Sequence, residues 1–259
     1  MSFPDNLVFV DSHCHLERLA KTPEVSLLEA KEASVPLVVT ISVGADTLDF
    51  VAHAAQTFEG VYGSLGIHPH EAVEYDELVE NRIRSLVSET SNVVAIGEAG
   101  LDYYYKHSEV EVQQQAFRSQ LKLAESLGLP IVLHSRDAEE DTLRLIQENP
   151  VSKKGVAHSF TGSTETASVL LEMGWYIGVN GIISFKNAKN VQEMVRNVPL
   201  DRILLETDAP YLAPTPFRGK ANAPVHIPII AACLAELLDV SLEEVAEQTT
   251  QNAHQLFEI

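Results

Sequence analysis

His13, His15, Glu98, His134, His158 and Asp208 each fall at the end of a short aliphatic or β-branched run, or just beyond it. Imidazole and carboxylate together are a donor set for divalent transition metals. In extended backbone, residues two apart face the same side, so His13 and His15 can reach one ion while Cys14 faces away as a structural residue. Glu98 follows Val93-Val94-Ala95-Ile96-Gly97 and Asp208 follows Ile203-Leu204-Leu205-Glu206-Thr207. A carboxylate at the end of such a run is costly unless it is paired or coordinates a metal. The two oxygens of Glu98 could serve two ions. A pair of cations can activate water and neutralise charge on an ester under attack, with Asp208 as ligand and general base.

Substrate phosphates call for further cations. Arg136 lies two residues past His134, and Arg218 and Lys220 follow the last of these runs. Arginine suits two oxygens and lysine one. His68 and His70 fall on the same rim and are expected to contact substrate or to support the ligands. Tyr103 and Tyr104 offer a stacking surface for an unpaired base. His53, His107, His226 and His254 read as surface or packing residues.

These residues need a scaffold that gathers strand ends. Strand candidates are 7–11, 37–43, 61–67, 93–98, 131–134, 155–158, 175–179 and 202–207, with amphipathic stretches between them. One such stretch, 109–127, carries Phe117, Leu121 and Ala124 on one face and is closed by Gly128 and Pro130. Eight strands alternating with helices predict an α/β fold, a (β/α)8 TIM barrel whose catalytic groups collect at the C-terminal strand ends. An open doubly wound sheet is the competitor, but no glycine-rich dinucleotide turn follows the first strand. Residues 239–257 form an extra C-terminal helical segment. The whole of 1–259 is expected to be one barrel domain.

The chain has 259 residues, 45% hydrophobic, with 18 Lys+Arg against 37 Asp+Glu and a formal net charge of -19. That surplus repels polyanions at long range and argues against coating duplex DNA with a broad basic face. A small phosphate pocket is still compatible with it, because bound cations govern local charge. The first residues lack the basic and apolar pattern of a signal peptide. The apolar run Ile227–Leu238 is too short to span a membrane. Cys14 and Cys233 have no metal-type spacing. A cytoplasmic setting with no membrane and no obligate protein partner is expected.

The motifs in order are Asp11-Ser12-His13-Cys14-His15-Leu16, Gly66-Ile67-His68-Pro69-His70, and Ala95-Ile96-Gly97-Glu98-Ala99-Gly100-Leu101-Asp102-Tyr103-Tyr104. Leu133-His134-Ser135-Arg136, His158-Ser159-Phe160-Thr161-Gly162 and Leu205-Glu206-Thr207-Asp208-Ala209-Pro210-Tyr211-Leu212 follow. Gly219-Lys220, Asn222, Pro224, Asn252 and Leu256-Phe257 complete the set. In this order and over nearly the whole chain, the sequence resembles the TatD-type metal-dependent deoxyribonucleases. The resemblance implies a barrel, a binuclear centre and ester hydrolysis, commonly of phosphodiesters. It assigns His13, His15 and Asp208 to one ion, His134 and His158 to the other, and Glu98 as the bridge. Ala221 departs from the pattern, since many relatives carry another basic residue after the Gly-Lys pair.

The sequence therefore predicts a hydrolase with two divalent cations (Zn, Mn or Mg). Its expected substrate is single-stranded DNA or nucleic-acid strand ends, cut in the manner of a 3'-5' exonuclease. Hydrolysis of a carboxylic ester, such as the aminoacyl bond of a charged tRNA, is the alternative that the same ligands would serve. A non-catalytic barrel is the third reading, and the intact six-residue constellation argues against it.

Overall fold

Strand formation in this chain follows its β-branched runs, and each run pairs in parallel with the next. The computed structural model describes residues 7–259. The strands are β1 (Val10–Cys14), β2 (Leu37–Ile41), β3 (Val61–Leu65), β4 (Val93–Asp102), β5 (Ile131–Arg136), β6 (Gly155–Ala157), β7 (Tyr176–Val179) and β8 (Ile203–Leu205). They form one eight-stranded sheet in sequence order. Between successive strands run α1 (Pro23–Glu32), α2 (Leu48–Thr57), α3 (Glu77–Glu89), α4 (Val110–Leu127), α5 (Glu139–Glu148), α6 (Thr164–Glu172) and α7 (Lys189–Arg196). After β8 come α8 (Ile227–Leu238) and α9 (Leu242–Phe257). This is the expected (β/α)8 TIM barrel with an added C-terminal helix.

The sheet closes on itself where β1 meets the end of β8. Cys14 and Ala209 form a parallel bridge. Asp208 N–H donates to the His13 carbonyl at 2.9 Å and His15 N–H to the Ala209 carbonyl at 2.9 Å. Asp11 reinforces the seam by accepting from Thr207 N–H at 2.9 Å and Thr207 Oγ1 at 2.6 Å. Burial pushes the Asp11 carboxyl up to about 7 against those hydrogen bonds, with nearby Glu206 adding to the rise.

Apolar residues fill the barrel from its N-terminal end. Val10, Val39, Ile41, Val132, Val156 and Leu204 pack into one buried cluster with Ala253, Leu256 and Phe257 of α9. Asn252 fixes that helix by donating to the carbonyls of Leu200 and Ile203, both at 2.8 Å. A larger cluster between sheet and helices includes Phe117, Leu121 and Ala124 of α4. Gly128, in the left-handed region at φ 67°, ends α4 with its N–H on the carbonyls of Ala124 and Glu125. Asp76, Ser163 and Ser241 cap the starts of α3, α6 and α9 through their side chains. Among the described residues no single helix is long and apolar enough to cross a membrane.

Several strand limits differ from those read in the sequence. β1 begins and ends three residues later than expected, so His13 lies inside the strand. β4 runs past Glu98 to Asp102, and β5 runs past His134 to Arg136. Gly100 permits the extension. It sits at φ 155° opposite His134, and a Cβ there would stand 1.8 Å from the His134 carbonyl oxygen. Glycine ends a strand in many sequences, whereas here it lets two strands approach.

Candidate metal centre

The open, C-terminal end of the barrel holds a cavity of about 570 Å³, lined among others by His15, His68, Glu98, His134, His158 and Asp208. β1 supplies His13, which is fully buried beside Glu98. His15 follows on the same side, and its Nε2 stands 3.3 Å from that of His13. Cys14 points the other way, into an apolar cluster with Leu16, Val38 and Ala209. Alternation along the strand produces this arrangement.

Glu98, 3% exposed, is the hub. Its Oε1 stands 2.7 Å from His134 Nδ1, 3.1 Å from His158 Nε2 and 3.6 Å from His68 Nε2. Its Oε2 stands 3.5 Å from His13 Nε2. Asp208 Oδ1 lies 3.5 Å from His15 Nε2 and 3.8 Å from His13 Nε2. The donors fall into groups with ligand atoms within 4.8 Å of one another: His13, His15 and Asp208 in one, and His68, Glu98 and His134 in another. The structure thus brings all six residues read from the sequence to one place and adds His68 at ligand distance.

Electrostatics agree with that geometry. Burial would raise the Glu98 carboxyl, but His158, His68, His13 and His134 together hold it well below the usual carboxylate range. Asp208 is likewise lowered against burial, by His15, His158 and His13. Burial depresses His13 and His68, assisted by His158 and His134 respectively. His15 and His134 are raised against burial, by Asp208 and by Asp102 with Glu98. Four imidazoles facing one buried carboxylate, with a second carboxylate beside them, is a donor set that fits divalent cations.

Behind the rim lie groups that spacing alone did not single out. Asp102 Oδ2 contacts His134 Nε2 at 3.2 Å and His70 Nε2 at 3.0 Å, while Oδ1 accepts from the N–H groups of Tyr104 and Tyr105. His15 Nδ1 faces the Ile41 carbonyl at 3.1 Å. An outer partner of this kind fixes which imidazole nitrogen faces a metal. Two buried glutamines of α4 clamp the adjoining loops. Gln120 bonds both backbone groups of Ile67, and Gln113 both of Asp102.

The substrate-side residues divide. Arg136 lines the cavity, its guanidinium 4.2 Å from the ring centre of Tyr104 and 4.7 Å from that of Tyr105. These two tyrosines are exposed, at 58% and 53%. Tyr103 instead donates its hydroxyl to Asp141 at 2.8 Å and packs against the core, so the exposed aromatic pair lies one residue further along the chain than the expected Tyr103 and Tyr104. Arg218 lies over the Phe185 ring at 3.7 Å and Lys220 lies 5.8 Å from the Phe217 ring; neither lines the cavity. His107, read as a surface or packing residue, is exposed and stacks on His70 at 4.4 Å. His226 pairs with Asn222 and His53 with Thr57, both outside the centre.

Comparison with known proteins gives the same reading. Residues 10–258 match the family described as TatD related DNase. The chain is 41% identical over 261 residues to the uncharacterized metal-dependent hydrolase YcfH of Escherichia coli (strain K12), covering 98% of this chain and 97% of that one. It is 38% identical over 252 residues to the uncharacterized metal-dependent hydrolase YabD of Bacillus subtilis, covering 96% and 98%. The crystal structure of YJJV, a TatD homolog from Escherichia coli K12, superposes with a TM-score of 0.92 at 30% identity, over 97% of this chain and 98% of that one. The chain belongs to the TatD-related family of metal-dependent hydrolases.

Proposed function

From that membership we propose that the chain is a nuclease. It hydrolyses phosphodiester bonds at the ends of single-stranded nucleic acid, DNA in the first place, in a 3'-5' exonuclease-like manner. One observation carries the reading. Arg136 and Tyr105 line the cavity that holds the histidine and carboxylate cluster, and the Arg136 guanidinium also covers the exposed ring of Tyr104 beside it. A phosphate needs the cation, and an unpaired base can stack on an aromatic face.

His13, His15 and Asp208 would hold one divalent cation, His134 and His158 a second, with Glu98 shared between them. His68 competes as a ligand on the second side. When bound, such cations lower the pKa of water and neutralise charge on the scissile phosphate. The histidine content favours Zn or Mn over Mg. The chain's own residues do the rest. Glu98 stays ionised because four imidazoles face it. Asp208 accepts the proton of the attacking water; its lowered carboxyl stays in the ionised, accepting form, although as a weak base. Arg136 binds a phosphate oxygen, and Asp102 ties the backbone of the tyrosine pair to the ligand His134. The pocket suits a strand end, because a net charge of -19 opposes a long polyanion lying across the surface. The two free cysteines support a reducing, cytoplasmic setting.

The test is a metal-by-substrate matrix. Chelator-stripped protein is reloaded with Zn, Mn or Mg and given single-stranded DNA, duplex DNA, single-stranded RNA and aminoacyl-tRNA. The expected result is mononucleotides released from one end of single-stranded DNA. Hydrolysis of the aminoacyl ester, with every phosphodiester left intact, would refute the proposal in favour of a deacylase.

A further inference from the structure

His13 and His158 stack face to face, ring centres 3.6 Å apart and planes 14° from parallel. Both turn Nε2 toward Glu98, at 3.5 and 3.1 Å. Their Nδ1 atoms are the nitrogens left turned from Glu98. Nδ1 of His13 is buried and has no hydrogen-bond partner. Nδ1 of His158 stands 3.3 Å from Glu206 Oε1, close but not aligned as a hydrogen bond. An imidazole that offers the Nε2 lone pair to a cation keeps its proton on Nδ1. Both rings then present a buried N–H that needs an acceptor.

The acceptor at hand is Glu206, which is fully buried. Its Oε1 accepts from Ser159 N–H at 2.6 Å and lies 3.4 Å from Asn180 Nδ2. Its Oε2 has no donor. His13, His158 and Glu206 each place a ligand-capable atom within 4.8 Å of the other two. The space for this carboxylate exists because residue 178 is glycine. A Cβ there would stand 2.5 Å from Oε2. Unsatisfied donors and an unsatisfied acceptor thus share one buried pocket behind the centre, and they are chemically complementary.

We propose that Glu206 is a positioning residue for both halves of the centre. One carboxylate receives the Nδ1–H of His158 and of His13, and so fixes the tautomer that turns one ligand of each ion toward Glu98. The inference rests on His13 and His158 being metal ligands; it does not depend on the substrate. Neither Asp102, which backs His134, nor the Ile41 carbonyl, which backs His15, serves both sides.

The experiment uses the full chain with 15N-labelled histidine, loaded with zinc, and Glu206→Gln beside the wild type. In the wild type both rings should carry zinc on Nε2 and a slowly exchanging proton on Nδ1. The glutamine can accept through its oxygen on one side only, and its NH2 group then meets the other ring donor to donor. That ring should lose its Nε2–zinc signal, and the other keeps a neutral amide oxygen in place of a carboxylate, a weaker acceptor; both zinc dissociation constants, from competition with a chelator, should therefore rise about 10–100-fold. Unchanged constants in a folded variant would overturn the proposal. So would a loss confined to one ion, since Glu206 would then serve His158 alone. A third zinc ion per chain, lost in the variant, would overturn it in favour of a buried ion site. Should the variant fail to fold, the wild-type spectrum decides. An Nδ1 proton on either ring that exchanges as fast as that of a solvent-facing histidine refutes the shared carboxylate. If neither ring responds to zinc, the ligand assignment itself fails, which is a different result.

Discussion

Glu98→Gln separates the demands of folding from those of metal binding. Metal-free, the wild type buries a carboxylate whose partners are four imidazole nitrogens at 2.7, 3.1, 3.5 and 3.6 Å. Glutamine keeps the shape, removes the charge and presents one oxygen and one NH2 group. The oxygen can face either His134 and His158 or His13, and the NH2 group on the other side cannot ligate. One ion therefore loses a ligand outright. Changing an outer partner already weakens metal affinity 10–100-fold, so loss of a direct ligand should reach at least about 100-fold, or about 2.7 kcal/mol. At a metal concentration near 1,000 times the wild-type dissociation constant, binding stabilises the fold by about 4.1 kcal/mol. For the variant the same concentration is about 10 dissociation constants, worth about 1.4 kcal/mol. A domain of this size shifts roughly 2–4 °C per kcal/mol, so the metal-dependent rise in Tm should shrink by roughly 5–11 °C. The metal-free variant should also melt somewhat below the wild type, because the imidazoles that hold the Glu98 carboxyl low stabilise its charge in the fold. Thermal melts with and without zinc, with bound zinc counted on the same samples, read both effects. A variant that keeps two ions and the full metal-dependent rise would refute the bridging role. A variant less stable by the same amount with and without zinc would show that Glu98 serves folding instead.

Asp208→Asn should retain metal at high concentration yet hydrolyse a short single-stranded oligonucleotide about 10²–10⁴-fold more slowly in single turnover, the usual loss for a general base. Asn is the appropriate replacement because residue 208 holds a left-handed backbone, φ 56°, which Asn tolerates; full recovery on saturating metal would make Asp208 a ligand only. Arg136→Ala should raise KM and lower the salt dependence of binding by about one phosphate contact, whereas Lys220→Ala, outside the cavity, should leave that slope near wild type. Equal slopes in both variants would remove Arg136 from the phosphate site. Gly100→Ala should destabilise the metal-free protein by roughly 2–6 kcal/mol in denaturant, combining overpacking against the His134 carbonyl with backbone strain. A loss under about 1 kcal/mol would mean that β4 and β5 separate there at little cost.

The six donors were legible because barrel topology and strand alternation reduce a three-dimensional cluster to a list of strand ends. That reasoning needs only the count of strands and the parity of residues, and both survive errors in the strand limits. β1 could be misplaced by three residues without moving His13 and His15 off a common side. The outer carboxylates were not legible for the same reason. Asp11, Asp102 and Glu206 are as buried as Glu98, so the cost of burying a carboxylate marks all of them alike. Which of them faces the cavity depends on local backbone. Glu206 and Asp208 are two residues apart and would share a side in a regular strand, but β8 ends at Leu205 and Asp208 turns at φ 56°. Glu206 is thereby left behind His158 while Asp208 reaches His15. Asp102 was hidden by Gly97 and Gly100, which read as the end of a strand although the chain continues through them. The tyrosine pair moved by one residue with it, because Asp102 anchors the turn through the N–H groups of Tyr104 and Tyr105. Parity fixes where a ligand can be. The backbone breaks that decide which of two nearby carboxylates faces the cavity arise from contacts between strands, such as that of Gly100 with the His134 carbonyl, and no single stretch of sequence contains both partners.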